Sequence, residues 1–530
     1  MTGASRALLR RAVVDARVRT VTFAVLFAVV AVVQVVGYRR SYPTAADRAL
    51  FAESFGDNAA VRLFYGMPHD LLTTGGYVAW RVGATLAVFG AVWGLMSAVA
   101  TTRAEEDAGR QEVVLAGAVT RRQAFATAMA AVAVGALVLG AAMVAGLAGS
   151  RLPLGGSLFL ALATLSPLAV FAGVGAVLAQ VMPTRRLALE AGTGLLVAAF
   201  LARVVADTAG GAGWLRWLTP FGWAEEARAF ADPRPQVLLL PLALTLLLMW
   251  IAGALSVRRD IGRGLLPARD SARPRTRLLS SPTALALRSE AGGLAAWMLG
   301  IGFFAVIVGV LSDSFSPENI SAELQERLRR FGGASLVTPE GALGLYFVFF
   351  VLVISLFAAS QIAAARAEEA SGRLETAFAL PVGRRAWLAG RLLLAALAAA
   401  VLAMGAGVLA WAGAASQGAD VGIGGMLSAG ANCLPATLLF LGLGALGFAL
   451  VPRAATGLAY GLVCAAFVWE LVGALIGAPR WALGLSPFHD IGMVPAQPAE
   501  LGSAGAMLAI GLAASALAVA AFARRDIVTG

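Results

Sequence analysis

The chain has 530 residues, of which 59% are hydrophobic and only 13% charged, with a net charge of +11 and a mean hydropathy of +0.81. That composition excludes a soluble core and describes a polytopic membrane protein. All 41 basic residues are arginine, which excludes a P-loop, because its G-x-x-x-x-G-K-[ST] needs a lysine against the β/γ-phosphates; Cys433, Cys464, His69 and His489 are too scattered for a disulfide framework or a metal site.

Arg6, Arg10, Arg11, Arg17 and Arg19 precede a first apolar span at 20–38. The span is long and no small-x-small cleavage site follows directly, so it is predicted as a retained helix and not a signal peptide. Ahead of it, Leu8, Leu9, Ala12, Val13 and Ala16 share one face, which predicts an interfacial helix on the inner leaflet, with a frayed basic tail as the plain alternative. Further spans are predicted at 77–101, 124–149, 156–181, 187–206 and 236–256, then at 291–311, 340–363, 387–414, 428–451, 455–476 and 503–523. The expected fold is therefore all-α and polytopic, with twelve transmembrane helices as two six-helix halves, 1–256 and 291–530, joined by a basic linker at 257–290.

The loop after the second span carries Arg103, Arg110, Arg121 and Arg122, the next loop on that side Arg185 and Arg186, and the linker Arg258, Arg259, Arg263, Arg269, Arg273, Arg275 and Arg277. By the positive-inside rule these face the cytoplasm, and both termini follow them. The same placement, in short loops between apolar spans, argues against nucleic acid. On the other side, the loops at 38–70 and 312–340 each have the pattern of a short helix; the second holds Glu323, Glu326, Arg327 and Arg330 at spacings of three and four.

One charged segment occurs twice. RAEEDAGRQEVVLAGAVTRR at Arg103 to Arg122 returns as RAEEASGRLETAFALPVGRR at Arg366 to Arg385, with 11 of 20 positions identical and no gap. Three more pairs follow in the same order: VMPTRR at 181–186 with LVPR at 450–453, TPFGW at 219–223 with SPFHD at 486–490, and RRDI at 258–261 with RRDI at 524–527. An even number of spans per half makes these parallel repeats related by an axis along the membrane normal, which leaves a pathway at their interface. Glu106 to Arg110 and Glu369 to Arg373 stand at i,i+4, the orientation that supports a helix. A helix with a charged and a small apolar face, held at the membrane surface, suits docking into a soluble partner. The plain alternative is a solvated loop obeying the positive-inside rule, which does not account for the paired glutamates.

R-x-E-E-x-x-G-R-x-E, a small-residue stretch and R-R, between the second and third of six helices, resembles the signature of type-2 ABC exporter permeases. The doubled architecture is similar to fused twelve-helix exporters of polyketide antibiotics and drugs. The resemblance implies coupling helices that insert into two copies of a separate ATP-binding subunit, which would hold ATP and Mg²⁺ while this chain holds no cofactor. Glu105, Glu106, Gly109, Arg110, Glu112, Arg121 and Arg122 would contact or orient toward one ATPase, and Glu368, Glu369, Gly372, Arg373, Glu375, Arg384 and Arg385 toward the other. The family's proline in the small-residue stretch is present as Pro381 but replaced by Ala118 in the first half, so the halves are expected to couple unequally.

At an offset of 267, Arg203 falls opposite Glu470, both late in the fifth span. A charge at that depth is costly unless paired or snorkelling, so an outer gate between them and separate snorkelling are both open. The spans offer Leu, Val, Ala, Phe and Gly, which predicts hydrophobic or amphipathic cargo, such as antibiotics, drugs or lipids, exported across a bacterial cytoplasmic membrane. Two other classes share features: a proton-coupled secondary transporter of the major-facilitator plan, which calls for intramembrane acids, and a non-transporting scaffold or sensor bound to an ATPase.

Overall fold

The computed structural model describes all residues except 1–2, 57–61, 63–64, 118, 209–210, 261–263, 267–281, 313–337, 380, 477–478 and 528–530. Among the described residues there are helices and no strands, in two compact units, Met1–Ala272 and Arg273–Gly530.

The first unit contains α1 (Gly3–Ser41), α2 (Ala45–Gly56), α3 (Thr74–Thr101), α4 (Arg103–Asp107), α5 (Arg110–Leu115), α6 (Arg121–Gly149), α7 (Leu154–Val181), α8 (Arg185–Thr208), α9 (Pro220–Glu226) and α10 (Leu239–Arg258). The second contains α11 (Pro282–Ser312), α12 (Pro339–Ala370), α13 (Arg373–Phe378), α14 (Arg384–Ser416), α15 (Ile423–Asn432), α16 (Leu434–Leu450), α17 (Ala455–Ile476), α18 (Arg480–Leu483) and α19 (Leu501–Arg524). Eleven stretches among the described residues are long and apolar enough to cross a bilayer, α15 and α16 counting as one. The remaining predicted span, 455–476, is the helix α17, whose apolar stretch Ala455–Glu470 is shorter.

Burial follows the same order in both units. In each, the second and fourth spans are the protein-facing core: 61% of the apolar window of α3 and 67% of that of α7 are buried, against 61% for α12 and 67% for α15–α16. The last spans lie at the rim; α10 exposes Leu239, Leu242, Leu246 and Trp250, a stripe at helical spacing that lipid covers at no hydrophobic cost. In lipid the core must be held by close packing, and glycines permit it. A Cβ on Gly94 of α3 would stand 2.3 Å from the Leu168 carbonyl oxygen of α7, and one on Gly309 of α11 would stand 2.0 Å from that of Ala410 on α14.

Two expectations change. The first span and the segment before it are one continuous helix, α1, about 58 Å long at 1.5 Å per residue and so well beyond a ~30 Å hydrocarbon core; no separate interfacial helix precedes it. Its Leu8, Leu9, Ala12, Val13 and Ala16 are half-buried against the protein. The expected linker ends early, because α11 already begins at Pro282, and its residues Leu265 and Leu266 donate backbone hydrogen bonds to Gln180 and Val181 at the end of α7. Of the two short loop helices, the first is α2, while the second, with Glu323, Glu326, Arg327 and Arg330, lies outside the described residues.

Candidate functional site

The duplicated segment folds the same way twice. After α3, the chain makes the single turn of α4, passes through Gly109 at φ 71°, and makes the short helix α5. In the second unit α12 runs on through the equivalent residues, Gly372 takes φ 74°, and α13 follows. A left-handed residue at that point costs an L-side chain roughly 1–2 kcal/mol, which is why glycine occupies both turns. Thr120 then caps α6 through a reciprocal pair with Gln123, at 3.3 Å from the Gln123 amide and with the Gln123 side chain 3.0 Å from the Thr120 amide.

The left-handed glycine breaks the helix between each expected i,i+4 pair, so Glu106 does not meet Arg110 and Glu369 does not meet Arg373. Instead, the second glutamate of each motif points inward. Glu106 is buried and takes Arg103 at 3.1 Å and Arg259 from the end of α10. Glu369 is fully buried and takes Arg366 at 3.3 Å and Arg525, just past α19, at 2.7 and 3.0 Å. The first arginine of each R-R pair closes the arrangement: Arg121 donates to the Arg259 carbonyl at 2.6 Å and Arg384 to the Arg525 carbonyl at 2.7 Å. Two sequence repeats recognised separately, RAEE and RRDI, are thus one charge cluster that ties the second span's end to the sixth.

Additional contacts differ between the units. Arg103, almost fully buried, also pairs with Asp107 at 3.0 Å and donates to the Pro183 carbonyl, while the Arg185 amide donates to Asp107 at 2.7 Å. Arg525 instead lies over the rings of Phe448 and Phe522, 5.1 and 4.9 Å from their centroids.

The remaining motif residues point outward. Arg110 and Glu112, with Arg122, are exposed on the first unit, beside Val113, which is 77% exposed; Arg373, Glu375 and Arg385 are exposed on the second. The first glutamates behave differently. Glu105 spans the glycine turn to Arg110 at 2.9 Å, whereas Glu368 is drawn to Arg391, which also holds Glu290 at 3.0 Å, leaving Arg373 to the Ser371 hydroxyl at 2.9 Å. The proline position cannot be compared between units, since Ala118 lies outside the described residues.

At the opposite end, Arg203 pairs with Asp207 at 3.2 Å and donates to the Arg62 carbonyl at 3.3 Å. Asp207 continues through Arg216, at 2.7 Å, to Glu226, which also holds Arg228 and Arg234. Glu470 takes His489 at 3.2 Å. Within its own unit Arg203 has the Asp207 carboxylate as its ion-pair partner, and within its own unit Glu470 meets the His489 ring through Oε1 alone. Beside this network, burial and the charge of Asp207 raise the Glu225 carboxyl to about 8. Burial and Arg228 lower the His69 imidazole to about 4. Arg259, Arg525, Asp207 and Arg391 escaped prediction as site residues; the RRDI repeat and the i,i+4 spacing of Arg203 and Asp207 were the available signals.

The family described as "Multidrug efflux system permease Rv1217c, C-terminal domain" matches residues 48–258 and 279–523. Among curated proteins, the multidrug efflux system permease protein Rv1217c of Mycobacterium tuberculosis (strain ATCC 25618 / H37Rv) is 30% identical over 501 residues, covering 94% of this chain and 90% of the relative.

Proposed function

Because this chain belongs to the multidrug efflux permease family of Rv1217c, we propose that it is the transmembrane subunit of an ATP-driven ABC exporter in a bacterial cytoplasmic membrane. In this reading the arginine-rich end and both termini face the cytoplasm, and two copies of a separate ATP-binding subunit hold ATP and Mg²⁺. The turns α4–α5 and α12–α13 are the docking elements. The observation that supports this most is the division of labour within the repeated motif: its inner charges fix a short bent element at the end of the bundle in both units, and its outer charges are left facing solvent. A rigid, charged projection on a lipid-embedded protein is what transmits a push from a soluble partner. The absence of lysine, and with it of a P-loop, supports assigning hydrolysis to that partner. The relative's name, a multidrug efflux permease, supports drugs as cargo, and the apolar spans of this chain support hydrophobic or amphipathic ones.

Co-purification with candidate ATP-binding subunits tests the reading. The outward variants Glu112→Arg and Glu375→Arg should each weaken association and drug-stimulated ATP turnover at least tenfold without loss of the folded permease. If no ATPase associates and both reversals leave drug efflux unchanged, the docking assignment fails and proton-driven transport takes its place.

A further inference from the structure

A cavity of about 270 Å³ opens at the arginine-rich end of the first unit, walled by α1, the end of α3, α5, the first turns of α6 and the end of α10. At about 30 Å³ per water it is too large for a single ion or water, and close to the lower limit of ordinary ligand sites at ~300 Å³. Its apolar wall includes Leu8, Leu115, Ala124, Phe125 and Ala128. Its charged wall is mostly committed: Asp15 faces Arg11 at 3.6 Å, Glu105 holds Arg110, and Glu106 holds Arg103 and Arg259. Two lining guanidiniums have no carboxylate partner among the described residues. Arg121 donates to a carbonyl, and the buried Nε of Arg19 has no hydrogen-bond partner.

The second unit shows what fills the same place there. Residues 124 and 128 of α6 correspond, at the motif's own offset of 263, to Trp387 and Arg391 of α14. Trp387 is buried, with the Arg391 guanidinium 5.2 Å from its ring centroid. Arg391 in turn is neutralised by Glu368 and by Glu290 of α11. One half therefore fills this position with a flat apolar group and meets its cation with acids. The other offers alanines and leaves its cation, Arg19, without an acid.

We propose that this cavity binds the head of an anionic phospholipid from the cytoplasmic leaflet, its phosphate on Arg19 and Arg121 and the first part of its tails along Ala124, Phe125 and Ala128. Basic pockets between transmembrane helices at that depth are suited to such headgroups. The leaflet rests on the orientation proposed above, but the binding does not. Because Glu106 and Arg259 form part of the wall, an occupied site braces the charge cluster that holds the first docking turn.

The test uses the purified full-length chain alone, without any ATPase, so its failure leaves the docking proposal standing and the reverse also holds. Native mass spectrometry after delipidation would titrate short-chain phosphatidylglycerol, phosphatidylcholine of the same chain length, and glycerol 1-phosphate. One phosphatidylglycerol is expected to be retained at least tenfold more tightly than phosphatidylcholine. Arg19→Gln should lose that preference and Arg19→Lys keep part of it. Ala124→Trp, which puts the second half's ring into the cavity, should abolish it; Arg19→Gln carries the test alone if that variant does not fold. Equal retention of phosphatidylcholine, glycerol 1-phosphate binding as tightly as phosphatidylglycerol, or retention unchanged by Arg19→Gln would each overturn the proposal.

Discussion

The charge cluster makes its sharpest prediction at Glu369. This carboxylate is fully buried and is the shared counter-ion of two arginines, Arg525 through two hydrogen bonds and Arg366 through one. Glu369→Gln keeps the shape and one acceptor but removes the carboxylate charge that two guanidiniums, with side chains only 15% and 11% exposed, both pair with. Removing one partner of a buried ion pair costs about 3–5 kcal/mol. Arg525 lies next to the end of α19 and can swing toward water, so the lower figure, about 3 kcal/mol, applies. For a unit of this size, with 1 kcal/mol worth about 2–4 °C, the thermal midpoint in detergent should fall by roughly 6 °C or more. The control is Arg186→Gln, whose pair with Glu190 is exposed on both sides and should be worth at most about 1 kcal/mol. Adding Arg525→Leu to Glu369→Gln should cost little more than either alone, since the interaction is already lost. A Glu369→Gln protein melting within 2 °C of wild type, with unchanged hydrogen exchange at the end of α19, would refute the idea that buried charge fixes this turn.

Gly309→Leu should prevent close approach of α11 and α14, because even its Cβ would overlap the Ala410 backbone, and should reduce the yield of monodisperse protein; Gly424→Leu, which meets nothing within 4 Å, should not. Gly372→Val forces a β-branched residue to φ 74° and should cost at least about 1–2 kcal/mol, read as faster proteolysis around α13. At the opposite end of the first unit, the Glu225 carboxyl is raised from 4.5 to about 8, so its contribution to stability is full below about 4.5 and is lost as pH rises through 8. Glu225→Gln should remove that alkaline decline in thermal midpoint, and an unchanged pH slope would count against it. His69, lowered from 6.5 to about 4, contributes stability above 6.5 that is lost as pH falls toward 4, so His69→Gln should flatten the acid limb instead.

The spans and the doubling were legible because both are one-dimensional: an apolar window reports a membrane helix, and a gapless repeat reports two copies. The ion pairs were not. Spacing of four between Glu106 and Arg110 presumes an unbroken helix, and the left-handed Gly109 ends it after one turn. Beside its i,i+3 arginine, Glu106 has a partner 153 residues away and Glu369 one 156 away, separations that helix periodicity cannot reach. Only the repetition of RRDI in the same order after RAEE hinted at the connection. The Arg203–Asp207 pair was within reach, at i,i+4 on one helix, but comparison across the halves drew attention to Glu470 instead.

What the two units share and what they do not divides along functional lines. The four-part cluster of Arg103, Glu106, Arg121 and Arg259 is reproduced by Arg366, Glu369, Arg384 and Arg525 with nearly the same distances, as expected of a part whose task is to hold the same bend in both copies. The outer face is not reproduced. In the first unit Arg110 is tied to Glu105, while in the second Glu368 is withdrawn by Arg391, leaving Arg373 without a carboxylate partner among the described residues. Two identical soluble subunits meeting these faces would therefore meet different charges. The residue that causes the difference, Arg391, also lies against Trp387, the ring that stands in the second unit where the first has a cavity. Unequal docking and a one-sided lipid site, as proposed, would thus trace to the same pair of differences, Ala124 against Trp387 and Ala128 against Arg391.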